Sequence, residues 1–171
     1  MKQGLIHIYS GDGHGKSPAA LGKAVMAAAA GERVVIIQFL KGRGLQDTEF
    51  IRRLEPEIKI FRFEKRDCCY EQLTEEEKAE ERSNILNGLN FARKVVVTQE
   101  CDFLLLDEIL GLLDRGIVTV DAIIDILKQK DESMHIVMTG WNFPDELRPY
   151  VDTVTTLNTE EIHSADHEGI R

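Results

Sequence analysis

The sequence predicts an α/β domain built on a mainly parallel sheet with helices on both faces. Three observations predict it. Apolar runs of strand length alternate with helix-forming segments along the chain. The run Arg33–Phe39 is almost continuously apolar and β-branched, as a strand is when helices cover both of its faces. The first strand-to-helix turn carries Gly11-Asp12-Gly13-His14-Gly15-Lys16-Ser17, a glycine-rich loop ending in Lys-Ser. At 171 residues, the chain is read as one domain over 1–171, with a polar, irregular tail from Asn158.

Leu5 to Tyr9 is a buried strand, and Pro18 to Ala30 a helix that Gly31 stops. Between them, glycines at 11, 13 and 15 let the backbone turn sharply and aim several N–H groups at one anion. The helix start adds N–H donors and a partial positive charge. Lys16 supplies a full charge for phosphate oxygens, Ser17 a hydroxyl for a magnesium ion carried with a nucleotide, and Pro18 fits a first helical turn. These features make a P-loop, and the expected architecture is a single P-loop (RecA-like) domain. The usual pattern G-x-x-x-x-G-K-[ST] has glycine where Ser10 stands. The competing reading is a glycine-rich turn that binds nothing; the order strand, loop, Lys-Ser, helix weighs against it.

Arg33–Phe39 is the second strand, and Lys41-Gly42-Arg43-Gly44 the loop beyond its carboxyl end. Its two basic residues either reach a phosphate or carboxylate, or belong to a plain solvated turn. Asp47 to Leu54 reads as a short helix, and Ile58 to Phe63 alternates as a third strand. Thr74-Glu75-Glu76-Glu77 is a capping box opening a helix to about Glu100, with Ile85, Leu89, Ala92 and Val96 toward the core. Asp102 to Leu106 is a hydrophobic strand ending in Asp107-Glu108, like a Walker B element. Carboxylates there emerge at the sheet edge that carries the P-loop and can hold magnesium or orient an attacking group. The plainer alternative is an ordinary strand end followed by a helix with acids at its start. Val120, Ile123, Ile124 and Leu127 mark an amphipathic helix, His135–Thr139 a buried strand, Pro144–Tyr150 a short helix and Thr153–Leu157 a last, edge strand.

A hydrophobic content of 43% with 30% charged residues suits a soluble globular protein. The net charge of −9 argues against nucleic acid as a partner, because phosphate backbones need a basic face. Cys68, Cys69 and Cys101 have no C-x-x-C spacing and imply neither a zinc site nor a disulfide framework, only free thiols in a reducing compartment. No signal-peptide pattern or bilayer-length apolar run is visible, so the expected location is the cytoplasm, without membrane contact. His7 reads as a packed or edge histidine. His14 either hydrogen-bonds phosphate or is solvated. His163 and His167, with Asp166 between them, lie in a tail read as irregular rather than metal-binding.

Gly11-Asp12-Gly13-His14-Gly15-Lys16-Ser17-Pro18-Ala19-Ala20 resembles the G-N-G-K-G-K-T-T-A-A signature of the ATP:corrinoid adenosyltransferases of the cob(I)yrinic acid a,c-diamide type. In that family too a small residue replaces the first Walker glycine, as Ser10 does. Val35 to Gly42 resembles the family's V-V-Q-F-I-K-G, Leu105 to Ile109 its V-L-D-E-L, Val137 to Gly140 its I-I-T-G, Asp152-Thr153-Val154 its A-D-x-V-T, and Asp166 to Arg171 the start of its closing D-x-G-I-K. The matches run in order over nearly the whole chain. The resemblance implies that cobalt(I) of a corrinoid attacks the 5′-carbon of ATP, with triphosphate leaving, and that an electron donor supplies the reduced cobalt. It implies Lys16 and Glu108 as catalytic residues, Gly11, Asp12, Gly13, His14, Gly15, Lys16 and Ser17 as the nucleotide cradle, and Ser17, Asp107 and Glu108 on the magnesium side. Gln38 and Lys41 are candidate nucleotide or corrinoid contacts, and a homodimer is the implied assembly. The family's F-T-W-E motif falls on Phe61-Arg62-Phe63-Glu64, which makes Phe61 and Phe63 either corrinoid contacts or same-face packing residues. Pro18, Met26, Phe63 and Trp141 depart from the family's pattern, Trp141 standing where the family has arginine, so the chain reads as a divergent member. The alternatives are a P-loop ATPase or kinase, in which Asp107 or Glu108 activates water or a hydroxyl, and a nucleotide-binding regulatory module without turnover.

Overall fold

Short apolar runs joined by helices pair side by side in parallel, because each crossover carries the chain from the carboxyl edge of the sheet back to the edge at which the previous strand began. The computed structural model describes residues 3–40, 49 and 53–162. Its strands are β1 (Ile6–Ser10), β2 (Val34–Gln38), β3 (Ile58–Arg62), β4 (Phe103–Asp107), β5 (His135–Thr139) and β6 (Thr153–Thr156). Its α-helices are α1 (Lys16–Ala29), α2 (Glu75–Val97), α3 (Ile109–Asp114) and α4 (Val120–Lys128), with 3₁₀ turns at Tyr70–Gln72 and Asp145–Tyr150. The six strands form one sheet in the order β3-β2-β4-β5-β1-β6, and every pairing is parallel.

The sheet is buried on both sides, which explains the unbroken apolar runs. Val34 and Ile36 of β2, with Leu105 of β4, pack against Ala20 and Ala24 of α1. Their neighbours Val35, Ile37 and Leu106 face the opposite layer, made of Ile85, Leu89 and Ala92 of α2 with residues of α3 and α4. Period-two alternation thus sorts one strand between two cores. The four residues of the edge strand β6 are all exposed, as its Thr-Val-Thr-Thr composition allows.

The capping box at Thr74 is formed: the Thr74 hydroxyl accepts the Glu77 N–H, and the Glu77 carboxylate accepts the Thr74 N–H at 2.9 Å. Such a cap stabilises a helix start by about 1 kcal/mol. The helix stops at Val97 rather than near Glu100. Gln99 takes a left-handed φ of 53°, and the Glu100 N–H folds back to the Val95 carbonyl at 3.1 Å, which closes the helix end. The basic loop Lys41–Gly44, most of the helix expected over 47–54, and His163, Asp166 and His167 lie outside the described residues. Among the described residues, no helix is long and apolar enough to cross a membrane.

Candidate functional site

The carboxyl ends of β1, β5, β4 and β2 stand side by side, so the loops that leave them share one rim of the sheet. The glycine-rich loop leaves β1 there. Ser10 is still in β1, buried and paired with Thr156 of β6; the left-handed backbone comes one residue later, at Gly11, φ 110°. The position that usually needs glycine is here an ordinary strand residue, which is why serine is tolerated. Gly15, at φ 101°, turns the chain into α1.

The loop is fastened to its neighbours. Gly11 N–H donates to the Trp141 carbonyl at 3.0 Å, Gly13 N–H to the Leu157 carbonyl at 2.9 Å and His14 N–H to the Thr159 hydroxyl at 2.7 Å. The N–H donors for an anion therefore come from the first turn of α1, which holds no acidic residue. Lys16 is 8% exposed, and its ammonium donates to the carbonyls of Gly11 (2.7 Å) and Gly13 (2.9 Å). The Asp12 and His14 side chains face solvent.

Asp107 ends β4, one strand away from β1, and is 2% exposed. One carboxylate oxygen accepts the Ser17 hydroxyl at 2.7 Å and the Thr139 hydroxyl at 2.8 Å; the other is 3.4 Å from the Gln38 amide nitrogen. Gln38 and Asp107 are register partners at the tips of β2 and β4, which sets that contact. Thr139, at the tip of the intervening β5, also accepts the Glu108 N–H at 2.7 Å. This bond holds Glu108 in a left-handed conformation, φ 63°, as the residue that opens α3. The half-buried Glu108 carboxylate and the Arg115 guanidinium both lie over Gly111: a side chain begun there would sit 3.0 Å from the first and 3.2 Å from the second.

The rim thus brings together the loop of residues 11–17 with Gln38, Asp107 and Glu108. Phe61 and Phe63 stand apart from this group, at the far end of the same rim, where the edge strand β3 ends. Both rings are half-buried and pack on Phe91 of α2, with centroids 4.6 and 5.5 Å apart. Beside them Glu64 accepts the Leu40 N–H at 2.8 Å, while its second oxygen and the Arg62 Nε are buried and have no hydrogen-bond partner among the described residues. Burial pushes the Glu64 carboxyl above the usual carboxylate range. Lys41 lies outside the described residues. Cys68 and Cys69 are exposed, whereas burial pushes the Cys101 thiol up to about 12. His7 packs on Tyr9 and hydrogen-bonds the Thr153 and Thr155 hydroxyls of the neighbouring edge strand β6, a packed histidine.

Sequence reasoning assigned no role to Thr139, although a threonine ending a buried strand beside an Asp-Glu strand tip is a usable signal. It also missed the segment after β6, whose Leu157 and Thr159 fasten the loop; nothing local marks them.

The family model of the ATP:corrinoid adenosyltransferases (BtuR/CobO/CobP) matches residues 2–171. The chain belongs to that family. Relatives named corrinoid adenosyltransferase include one from Pseudomonas aeruginosa, 26% identical over 92% of this chain and 76% of its own length. Another, from Escherichia coli, is 22% identical over 91% of this chain and 77% of its own. An uncharacterized Nostoc protein, all2391, is 31% identical over 87% of this chain, which spans 42% of that protein's length. Among solved structures, the KaiC-like protein PH0186 of Pyrococcus horikoshii superposes with a TM-score of 0.58 at 16% identity, covering 94% of this chain and 76% of its own. That likeness concerns the fold, a P-loop α/β sheet. In this adenosyltransferase family member the loop lysine, the hydroxyl that follows it and the strand-tip aspartate meet on one rim, as the P-loop architecture requires.

Proposed function

We propose that this protein transfers the 5′-deoxyadenosyl group of ATP to the cobalt(I) of a corrinoid. The cobalt electron pair forms a Co–C5′ bond, the C5′–O5′ bond breaks, and triphosphate leaves with the bonding pair. The observation that carries the reading is the convergence of Lys16, Ser17 and Asp107 on one rim, in a chain that belongs to this family.

Each residue then has a physical task. The Lys16 ammonium leaves its two carbonyls for phosphate oxygens and neutralises charge that grows on the departing triphosphate. The first turn of α1 donates N–H groups to the same anion. Magnesium would be held by the Ser17 hydroxyl and the Asp107 and Glu108 carboxylates, hard oxygens of the kind it prefers. When bound, it supplies a second neutralising charge. Thr139 and Gln38 keep the Asp107 carboxylate oriented. Phe61 and Phe63 give the corrinoid an apolar wall that excludes water from the cobalt, and Lys41 is a candidate contact for either substrate. An electron donor would deliver cobalt(I), and a homodimer is the expected assembly, to be read from sedimentation equilibrium.

Incubation with ATP, magnesium and a chemically reduced corrinoid tests the reading. A light-sensitive adenosyl product with stoichiometric triphosphate supports it. ADP and phosphate formed without corrinoid would instead favour phosphoryl transfer. ATP binding without any product would favour a regulatory module.

A further inference from the structure

Trp141 is the only tryptophan in the chain, and it stands 58% exposed at the mouth of the glycine-rich loop. Its backbone is held rigidly. Gly140 lies so close to α3 that a side chain there would begin 2.4 Å from the Leu110 Cβ, and the Gly140 N–H donates to the Tyr9 carbonyl at 3.2 Å. The Trp141 carbonyl accepts the Gly11 N–H at 3.0 Å, so indole and loop move as one unit. The ring faces the Lys16 ammonium, which lies 5.4 Å from its centroid. Among the described residues that ammonium therefore has three electron-rich neighbours: two loop carbonyls and one indole face.

We propose that Trp141 is a positioning residue for the polyphosphate: its indole forms a wall of the cradle and holds the Lys16 ammonium while an entering phosphate replaces the two carbonyls. This rests on the nucleotide-binding reading above. The carbonyls of Gly11 and Gly13 compete with phosphate for the same N–H donors, whereas the indole binds the ammonium through its face and leaves those donors available. A cation–π contact strengthens as water leaves it, so it is worth more with the cradle filled than with the cradle open to solvent. Only that difference contributes to binding. The 5.4 Å separation from Lys16 sets the ring beside phosphate rather than beside the base of a bound nucleotide.

The chain's own fluorescence gives the test, since emission from a lone tryptophan reports a single site. ATP and inorganic triphosphate are titrated separately, adenosine serves as the third probe, and calorimetry measures binding in parallel. ATP and triphosphate should both shift the emission, and adenosine should leave it unchanged. Trp141→Ala should weaken triphosphate binding about two- to fivefold, and Trp141→Phe, which keeps an aromatic face, should recover most of the loss. A response to adenosine but not to triphosphate would make Trp141 a base-stacking platform and overturn the proposal. Calorimetric binding of triphosphate with silent fluorescence, or an unchanged affinity in Trp141→Ala, would overturn it while leaving the nucleotide reading intact. Failure of ATP itself to bind defeats that reading and this inference together.

Discussion

The two ends of the rim are built on opposite principles. Around Lys16 and Asp107, polar groups are matched to one another: ammonium to carbonyls, hydroxyls to carboxylate, amide to carboxylate, all at strand tips fixed by register. Around Phe61 and Phe63 the side chains are aromatic and half-buried, and the Arg62 Nε and one Glu64 oxygen are buried with no partner among the described residues. A closed polar network is rigid and presents one geometry, because any rearrangement strands a buried group. An aromatic cluster is held by area and shape, and it tolerates rearrangement at lower cost. The difference teaches that the Lys16–Asp107 side is preorganised and the β3 side adaptable. The proposed reaction needs this division: a fixed grip on a leaving group, and a surface that accepts a large ring.

Breaking the polar side should have the largest effect. Lys16→Ala should lower adenosyl transfer at least about 100-fold, read as product formed at saturating corrinoid, because it removes the ammonium of the glycine-rich loop. Asp107→Ala should come next. It removes the carboxylate that accepts the buried Thr139 hydroxyl, and urea unfolding should show a loss of about 1–3 kcal/mol. On the β3 side, Phe63→Ala should raise the KM for corrinoid roughly tenfold, as loss of an aromatic contact does, with the KM for ATP within about twofold of wild type. A rise in both would erase the distinction between the two ends.

The smallest effect sharpens the comparison through pH. Burial raises the folded-state pKa of Glu64 above its unfolded value. The stability tied to its protonated form is then fully present below the unfolded pKa, and it is lost as pH rises through the folded pKa. Glu64→Gln keeps an acceptor for the Leu40 N–H but does not titrate. The stability of wild type relative to Glu64→Gln should therefore fall as pH rises above the ordinary glutamate range, as followed by denaturant midpoints.

Much of the polar side was legible because its signals are local. Lys16 and Ser17 follow the glycines directly, and Asp107-Glu108 closes an unmistakable apolar run. What brings them together was not legible. Thr139 reaches Asp107 across 32 residues, Gln38 reaches it across 69, and the His14 N–H reaches Thr159 across 145. Those contacts follow from a strand order that differs from the order of the sequence. A helix after Asp107-Glu108 was readable as the plainer alternative, but its left-handed start at Glu108, which depends on Thr139, was hidden for the same reason. On the β3 side, period-two spacing placed Phe61 and Phe63 on one face but held no trace of Phe91, which arrives from α2.

The most direct test of this division is equilibrium binding of each substrate alone to wild type, Lys16→Ala and Phe63→Ala. Lys16→Ala should lose ATP and keep the corrinoid, and Phe63→Ala should weaken the corrinoid and keep ATP. Equal loss of both substrates in either variant would contradict the account, because it would mean that the two ends of the rim form a single site.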